Sequence, residues 1–486
     1  MIPLLLAIPT VAGALALATR EASRQRALLL LAVLAHFALV VSCWYHRPAP
    51  RFGGWLALDE LGLWVLTITS VLFLAATLYA LHYLPKEDPG RRPDFEDGTL
   101  FENAPHAVFV ASLAFFLAAL TLVALSQHFA VLWVAVEATT LASAPLIFFH
   151  RHRRSLEATW KYLVVCSVGI ALALVGTFFL AVATARQAHL RELVLGELLA
   201  HPAFLDPRWL ELAFVFALVG YGTKMGLAPW HAWLPDAHAE APSLVSALLS
   251  GALLNAAFLA ILRFHQVLKA AGIGAFSQSL LLYLGLLSML VAASFLLIQV
   301  DFKRLLAYSS VEHMGVLALG AGLGRQGVFA AAYHAWNHSL AKAALFLLAG
   351  NILARYKTKA IPRVAGLTTA LPFTGALWVA GFLAITGAPP FGLFVSELAV
   401  AKACFAAQKP GAAAVYLLAL LLAFVGLGKG MLAMARGESP AQLQSEALLA
   451  WLPSFLLLLV SVLLGLLPPA AVLDVAHELA RVVGVS

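Results

Sequence analysis

Charge is what this sequence has least of. Only 11% of its 486 residues are Asp, Glu, Lys or Arg, whereas a water-soluble chain carries roughly 25% to cover its surface. With 62% hydrophobic residues and a mean hydropathy of +0.91, folding as a soluble protein is excluded. Cysteine is scarce as well. Cys43, Cys166 and Cys404 stand far apart with no C-x-x-C pair, so no iron–sulfur or zinc site built by this chain alone is expected. No G-x-G-x-x-G follows a strand-like run and no G-x-x-x-x-G-K-[ST] occurs, which removes the common nucleotide sites. The net charge of +7 is spread over short loops, where it reports orientation in a membrane and no nucleic-acid partner. Neither cofactor nor metal is expected in this chain.

What the sequence has in abundance is apolar runs of 18 or more residues, each long enough for a hydrocarbon core of ~30 Å. They predict an all-α integral membrane protein with about fourteen helices. The expected spans are 2–19, 27–45, 58–84, 106–126, 128–149, 158–185, 209–240, 243–270, 276–300, 303–323, 326–354, 371–406, 411–435 and 447–467. MIPLLLAIPTVAGALALAT lacks a basic n-region and is followed by more apolar segments, so it reads as a first span and not as a cleaved signal. The tail 469–485 is short and amphipathic, with Asp474, Glu478 and Arg481 on its polar side, and is expected at the membrane interface. Basic residues gather in alternate loops (Arg20, Arg24 and Arg26; Lys86, Arg91 and Arg92; Arg151, Arg153 and Arg154; Lys303 and Arg304; Arg355, Lys357, Lys359 and Arg363). The positive-inside rule then puts both termini on the non-cytoplasmic side of a multi-pass plasma-membrane protein. The longest polar loop, KEDPGRRPDFEDGTLFENAP, is too short for a catalytic domain. The chemistry has to lie inside the membrane.

Two of the spans are interrupted. GYGTKMGLAPWHAWLPDAHAEAP contains Pro229 and Pro235, and LAITGAPPFGLFVSELAVAKA contains Gly387, Pro389, Pro390 and Gly392. Proline removes a backbone donor and clashes with the preceding turn, so each span is expected as two half-helices. Such a matched pair points to internal repeats with a transport route at the breaks, whereas a single kink would be an ordinary feature.

Charges in mid-span sharpen that expectation, since each costs roughly 2.5–3.5 kcal/mol at the bilayer centre on insertion scales. Glu137 lies near the middle of SQHFAVLWVAVEATTLASAPLIFF, and Lys224 lies beside the first break. They are expected to partner each other, either as a static pair that holds helices together or as part of an ion path. His334, His338 and Lys342 recur at i, i+4 and i+8, one stripe along about 12 Å of helix. His titrates near neutrality and buried Lys shifts readily, so the stripe suits stepwise proton transfer. A metal site is the rival for two histidines at this spacing, but H-E-x-x-H is absent and Lys342 would repel a cation. His313 and Glu397 extend the row. Lys161, Asp59 and Glu60 lie near helix ends, where snorkelling accounts for them.

VEATTLASAPLI, GTKMGLAPWHAWLPDAHAEAPSLVSALLSGALLNAAF, DFKRLLAYSSVEHMG, HAWNHSLAKAALFLLAGN and PPFGLFVSE together resemble the antiporter-like subunits of respiratory complex I. The same family includes membrane subunits of group 4 hydrogenases and formate hydrogenlyase and the Mrp-type sodium/proton antiporters. The resemblance covers about residues 106–435 and looks closest to the hydrogenase-4-like branch. It implies N-terminal helices in 1–105, a first antiporter-like repeat in 106–270, a second in 271–435, and a last helix with the tail in 436–486. The repeats are implied to be inverted, of five helices each, with the broken helices seventh and twelfth. It also implies that Glu137 and Lys224 form a modulating ion pair, that His313, His334 and His338 belong to a central hydrated axis, and that Glu397 ends the second half-channel. The chain departs from the complex I pattern at Asn255, where an eighth-helix lysine is often found. Asn carries no proton charge, so water or His231 is expected to bridge there.

These expectations converge on a proton-translocating membrane subunit of a multi-subunit redox-driven complex. Its partners would be other membrane subunits and a peripheral redox arm, with the redox centres all in those partners. The alternatives are an Mrp-type sodium/proton antiporter subunit and an energising subunit for a non-redox partner such as an inorganic-carbon uptake protein.

Overall fold

A computed structural model of the chain describes residues 1–87, 90–96, 98–184, 192–438 and 445–485. Ala185, the expected end of the sixth span, and Asp88, Pro89 and Asp97 of the polar loop lie outside the described residues.

The chain opens with α1 (Ile2–Ala18), α2 (Ala22–Tyr45) and α3 (Glu60–Tyr83). The polar loop that follows carries a two-stranded antiparallel pair, β1 (Arg92–Pro93) with β2 (Leu100–Phe101). Then come α4 (His106–Leu125), α5 (Phe129–Ile147), α6 (Arg153–Thr184) and the short α7 (Leu195–Ala200). The first broken span is α8 (Pro207–Met225) and α9 (Trp233–Glu240), and it leads into α10 (Ser243–Leu248) and α11 (Leu254–Ala270). Helices α12 (Gly274–Leu296), α13 (Phe302–Ala321) and α14 (Gly324–Tyr356) precede the one-turn α15 (Leu367–Ala370). The second broken span is α16 (Pro372–Ile385) and α17 (Gly392–Ala406). Helices α18 (Pro410–Ala435), α19 (Leu448–Leu466) and α20 (Ala470–Val483) complete the chain.

Among the described residues, ten helices are long and apolar enough to cross a membrane. The other four expected spans are present as helices but differ in kind. α1 is only 17 residues long and α16–α17 is split, while α13 and α14 carry the histidines, Glu312 and Lys342 that lower their hydropathy. The outer helices turn apolar side chains such as Val164, Val168, Leu421 and Phe424 outward, as lipid requires. By contrast, α10–α11 is buried along its length, and α13 and α14 are nearly so. The polar residues of these inner helices are therefore the most secluded in the molecule.

The two breaks share one backbone pattern. In the first, Gly226 N–H donates to Thr223 O, Leu227 N–H to Gly222 O and Trp230 N–H to Leu227 O. In the second, Gly387 donates to Ala384, Ala388 to Leu383 and Phe391 to Ala388. Every residue of the second set lies 161 positions after its counterpart, so Pro229 corresponds to Pro390 and not to Pro389. Each helix ends on a glycine in the left-handed region, Gly226 at φ 81° and Gly387 at φ 64°, where a Cβ would clash.

Loop contacts follow the alternation read from the basic residues. His128 pairs with Val194 in loops of one parity, and Asn103 with His150 and Asp301 with Ala360 in loops of the other. The basic-rich loops are drawn together over a cavity of about 470 Å³. There Arg154 binds Asp94 at 2.7 Å, Lys359 binds Glu240 at 2.7 Å and Glu96 at 3.2 Å, and His152 lies 3.8 Å from both Asp94 and Glu240.

Three expectations need correction. Lys161 is not a snorkelling residue, because it pairs with Asp236, which Arg304 also binds at 2.6 Å. Asp59 accepts a fork from Arg263, whose side chain is 1% exposed, while also capping α3 through Gly62 N–H. The tail helix α20 buries its apolar face (Val475, Ala476, Leu479, Ala480, Val483) against protein, with Lys269 donating to the carbonyls of Arg481 and Val482. Its amphipathicity serves docking onto α14 and α11.

Burial opposes the charge on Asp94, yet hydrogen bonds from Arg154 and the Glu96 N–H hold its carboxyl below the usual carboxylate range. A depressed folded value means that this tether contributes above the ordinary carboxylate range and is lost only as pH falls through the lower one. Arg154→Ala is expected to loosen the loop by about 2 kcal/mol, between the values for exposed and buried pairs. Limited proteolysis of membrane vesicles should cut segment 86–105 faster in the variant at neutral pH, and in the native protein only under strong acid.

Candidate functional site

Lys224 occupies the last turn of α8 and is fully buried. A cation suits that position, since the free carbonyls of a helix C-terminus carry partial negative charge. Its Nζ donates to Thr140 Oγ1 at 2.8 Å and to Tyr162 Oη at 2.6 Å, and it stands 4.5 Å from the Tyr162 ring centroid. Glu137 is not in direct contact with it. The Thr140 hydroxyl donates to Glu137 Oε2 at 3.2 Å, and Ser167 donates to Oε1 at 3.0 Å. The expected pair is therefore threaded through a hydroxyl: Lys224 gives a proton to Thr140, and Thr140 gives one to Glu137. Even with these two bonds end to end, roughly 6 Å, the charges attract by roughly 3 kcal/mol at an effective dielectric of about 20.

The second cluster joins α13, α14 and α17. His313, His334, His338 and Lys342 are all fully buried. His313 Nδ1 lies 3.0 Å from His334 Nε2, and His334 Nδ1 lies 3.0 Å from Ser396 Oγ. The His338 ring is 4.9 Å from that of His313. Lys342 Nζ donates to the Leu306 carbonyl at 2.6 Å. Glu397 follows Ser396 directly, and its carboxylate packs against Gly387 of the second break, where any Cβ would collide with it. His313, His334 and Glu397 each offer a ligand atom, all within 4.8 Å of one another. The sequence had weighed a different pair, His334 with His338, for such a role.

Between the clusters lies His238 of α9. Its ring packs against Phe346 of α14 at 5.3 Å and against Trp233 at 6.4 Å, and Trp233 in turn packs against Tyr162 at 5.0 Å. Asn255 follows the π-helical turn Leu249–Leu253, which frees the Gly251 carbonyl. Asn255 donates to Gly251 O at 2.6 Å and to Ser339 Oγ at 2.7 Å. His231 does not bridge there, since its ring sits against Phe295 and Tyr308.

The sequence reading passed over Thr140, Tyr162 and Glu312. The hydroxyls gave no signal because they matter only through α5–α6–α8 packing. Glu312 did give one. A carboxylate in the middle of YSSVEHMG is as deep as His313, and in the structure it is 1% exposed with Oε2 3.5 Å from His313 Nε2.

Thr140→Val removes the hydroxyl and keeps the volume. With the bridge between Glu137 and Lys224 cut, the variant is expected to lose about 1.5–3 kcal/mol of stability, read as a lower midpoint of thermal unfolding in detergent.

Residues 126–426 match the family described as NADH:quinone oxidoreductase/Mrp antiporter, TM. The hydrogenase-4 component F homolog of Methylacidiphilum infernorum is 38% identical over 391 residues, covering 79% of this chain and 80% of that protein. The fold matches a chain of the archaeal membrane-bound sulfane sulfur reductase with a TM-score of 0.88 at 21% identity, covering 100% of this chain and 98% of that one. It also matches a chain of respiratory complex I from Thermus thermophilus with a TM-score of 0.82 at 25% identity, over the whole of both chains. Such relatives are subunits of multi-subunit membrane complexes. On the family match and the Methylacidiphilum relative, the chain belongs to the NADH:quinone oxidoreductase/Mrp antiporter family as an antiporter-like, multi-span membrane subunit.

Proposed function

We propose that this chain translocates protons as a plasma-membrane subunit of a redox-driven complex of the hydrogenase or complex I kind. Partner membrane subunits and a peripheral redox arm would supply the driving reaction. The observation that carries the reading is the state of Lys224 and Lys342: both are fully buried, and their nitrogens donate to hydroxyls and a carbonyl, with no carboxylate in contact among the described residues. An ammonium kept only to hold helices together would be expected to meet a counter-ion directly, as Arg263 meets Asp59. Neutral acceptors hold a lysine while leaving its proton free to go. Similarity to the hydrogenase-4 component F homolog supports the choice of a redox-driven assembly.

Two inverted five-helix repeats, 106–270 and 271–435, fit the recurring geometry. Phe129 N–H donates to Leu193 O and Leu195 N–H to Gln127 O, tying the start of α5 to the loop before the first broken span. Phe302 N–H donates to Lys359 O and Ile361 N–H to Val300 O, tying α13 to the loop before the second. By span alternation these two ties lie on opposite faces of the membrane, which is what inversion requires.

Lys224→Met is expected to abolish substrate-driven proton uptake by reconstituted vesicles while expression and subunit content persist, and Glu137→Gln to reduce it. Full uptake in the Glu137→Leu/Lys224→Met double variant would instead make the pair structural. The same vesicles read with a sodium-selective dye separate proton from sodium coupling. Reporter fusions after Arg153 and after Asp206 should read opposite sides, with Arg153 cytoplasmic.

A further inference from the structure

Hydrogen-bond directions in the second cluster are fixed from one end. Ser396 Oγ has a single hydrogen, and it donates to the Leu393 carbonyl at 2.9 Å. The contact with His334 Nδ1 at 3.0 Å must then be an N–H donated by His334 to Ser396. A neutral His334 so oriented has a bare Nε2, and His313 fills it with its Nδ1–H at 3.0 Å. Neutral His313 is thereby left with a bare Nε2, and 3.5 Å away stands Glu312 Oε2. Neither His313 Nε2 nor Glu312 Oε1 has a hydrogen-bond partner among the described residues.

A lone pair facing a carboxylate at this range is repulsive, and a carboxylic acid facing an imidazolium forfeits the charge attraction. One proton between the two groups relieves both problems, whether it sits on Oε2 or on Nε2. We infer that Glu312 and His313 form a single-proton site, and that Glu312 is the proton-carrying residue that connects Lys342 to the His313–His334–Ser396 chain.

The steps balance. A proton leaving Lys342 refills the emptied pair at Glu312 Oε2, restoring its neutral one-proton state and leaving a neutral amine on the Leu306 carbonyl. The Oε2 proton passes to His313 Nε2, the Nδ1 proton of His313 passes to His334 Nε2, and the Nδ1 proton of His334 passes to Ser396 Oγ. Each imidazole ends neutral with its other nitrogen protonated, and rotation of the rings resets it. As Ser396 Oγ takes that proton, it turns its own hydrogen away from the Leu393 carbonyl and gives it to the carboxylate of Glu397, the next residue, so the hydroxyl ends with one hydrogen. The groups that face this site support a directional role: Lys342 is the charge that acts on Glu312 from α14, and Glu397 of α17 and Tyr416 of α18 lie within its electrostatic reach. A protonated Lys342 favours the carboxylate and an ionised Glu397 opposes it, so the proton is drawn in while Lys342 is neutral and passed on as Lys342 recharges.

This inference rests on the proton-translocation reading and can fail without it. The test uses the whole assembled complex. Glu312→Gln preserves shape and cannot carry a proton, so vesicle proton uptake should drop on the order of a hundredfold, with Glu312→Asp restoring part of it. Difference infrared spectra of the wild-type complex in normal and heavy water should contain a carboxylic C=O band that Glu312→Gln removes and Glu312→Asp shifts. Because the Asp variant carries the spectral test by itself, poor assembly of the Gln variant leaves the inference decidable. Undiminished uptake in Glu312→Gln, or a carboxylic band that does not shift in Glu312→Asp, overturns the Glu312–His313 site. Absent proton uptake in the wild type would instead overturn the function it serves.

Discussion

A buried ammonium group needs oxygen acceptors, and in this protein two of them, on Lys224 and Lys342, lie at zero exposure inside a membrane-spanning bundle. Each would cost roughly 2.5–3.5 kcal/mol or more on an intact helix facing lipid. A regular helix uses its own carbonyls internally and has few to spare. The supply here comes from the Thr140 and Tyr162 hydroxyls for Lys224 and from the Leu306 carbonyl of α13 for Lys342. Ending α8 at Gly226 puts Lys224 in its last turn, where Trp233 donates to the Thr223 carbonyl and Thr140 and Tyr162 accept from the ammonium itself. The second break serves Glu397 in a related way, as Gly387 vacates the space its carboxylate fills.

Charges in the molecule fall into two kinds. Those near helix ends are matched with opposite charge, as in Asp59 with Arg263, Lys161 and Arg304 with Asp236, and Lys359 with Glu240. They fasten α3 to α11, α6 to α9 and α13, and the loop before α15 to the end of α9. Those in mid-span meet neutral donors, acceptors or one another: Lys224 with hydroxyls, Lys342 with a carbonyl, His313 with His334. The first kind gains from staying put. The second is held by no tight ion pair, and the proposed proton transfer rests on that difference.

Much of this was legible in the sequence. Apolar runs, prolines and glycines specify spans and breaks through backbone chemistry alone, and each expected span coincides with helix to within about five residues, whereas the short α7 and α15 were not expected. Mid-span charge likewise announces itself, so Glu137, Lys224 and the α14 stripe could be picked out singly. What a sequence cannot carry is who meets whom across helices. The reach between Glu137 and Lys224 is set by how α5 and α8 each pack on α6, and that arrangement leaves room for Thr140 between them. Lys161 and Asp59 looked like snorkelling residues because Asp236 and Arg263 are 75 and 204 residues away in sequence. Asn255 looked like a gap in a lysine row, yet it is bound to Ser339 beside a π-turn that only the fold creates.

The central claim is that a buried lysine held by neutral oxygen is a proton carrier and not a fastener. Lys342 tests it most directly, since its nitrogen meets the Leu306 carbonyl and, among the described residues, no carboxylate. Substrate-driven proton uptake should be measured in vesicles carrying the intact complex with Lys342→Met, beside Lys342→Arg, which keeps the charge but does not release its proton. The account predicts that both variants assemble and both lose uptake. Normal uptake in either one would contradict it.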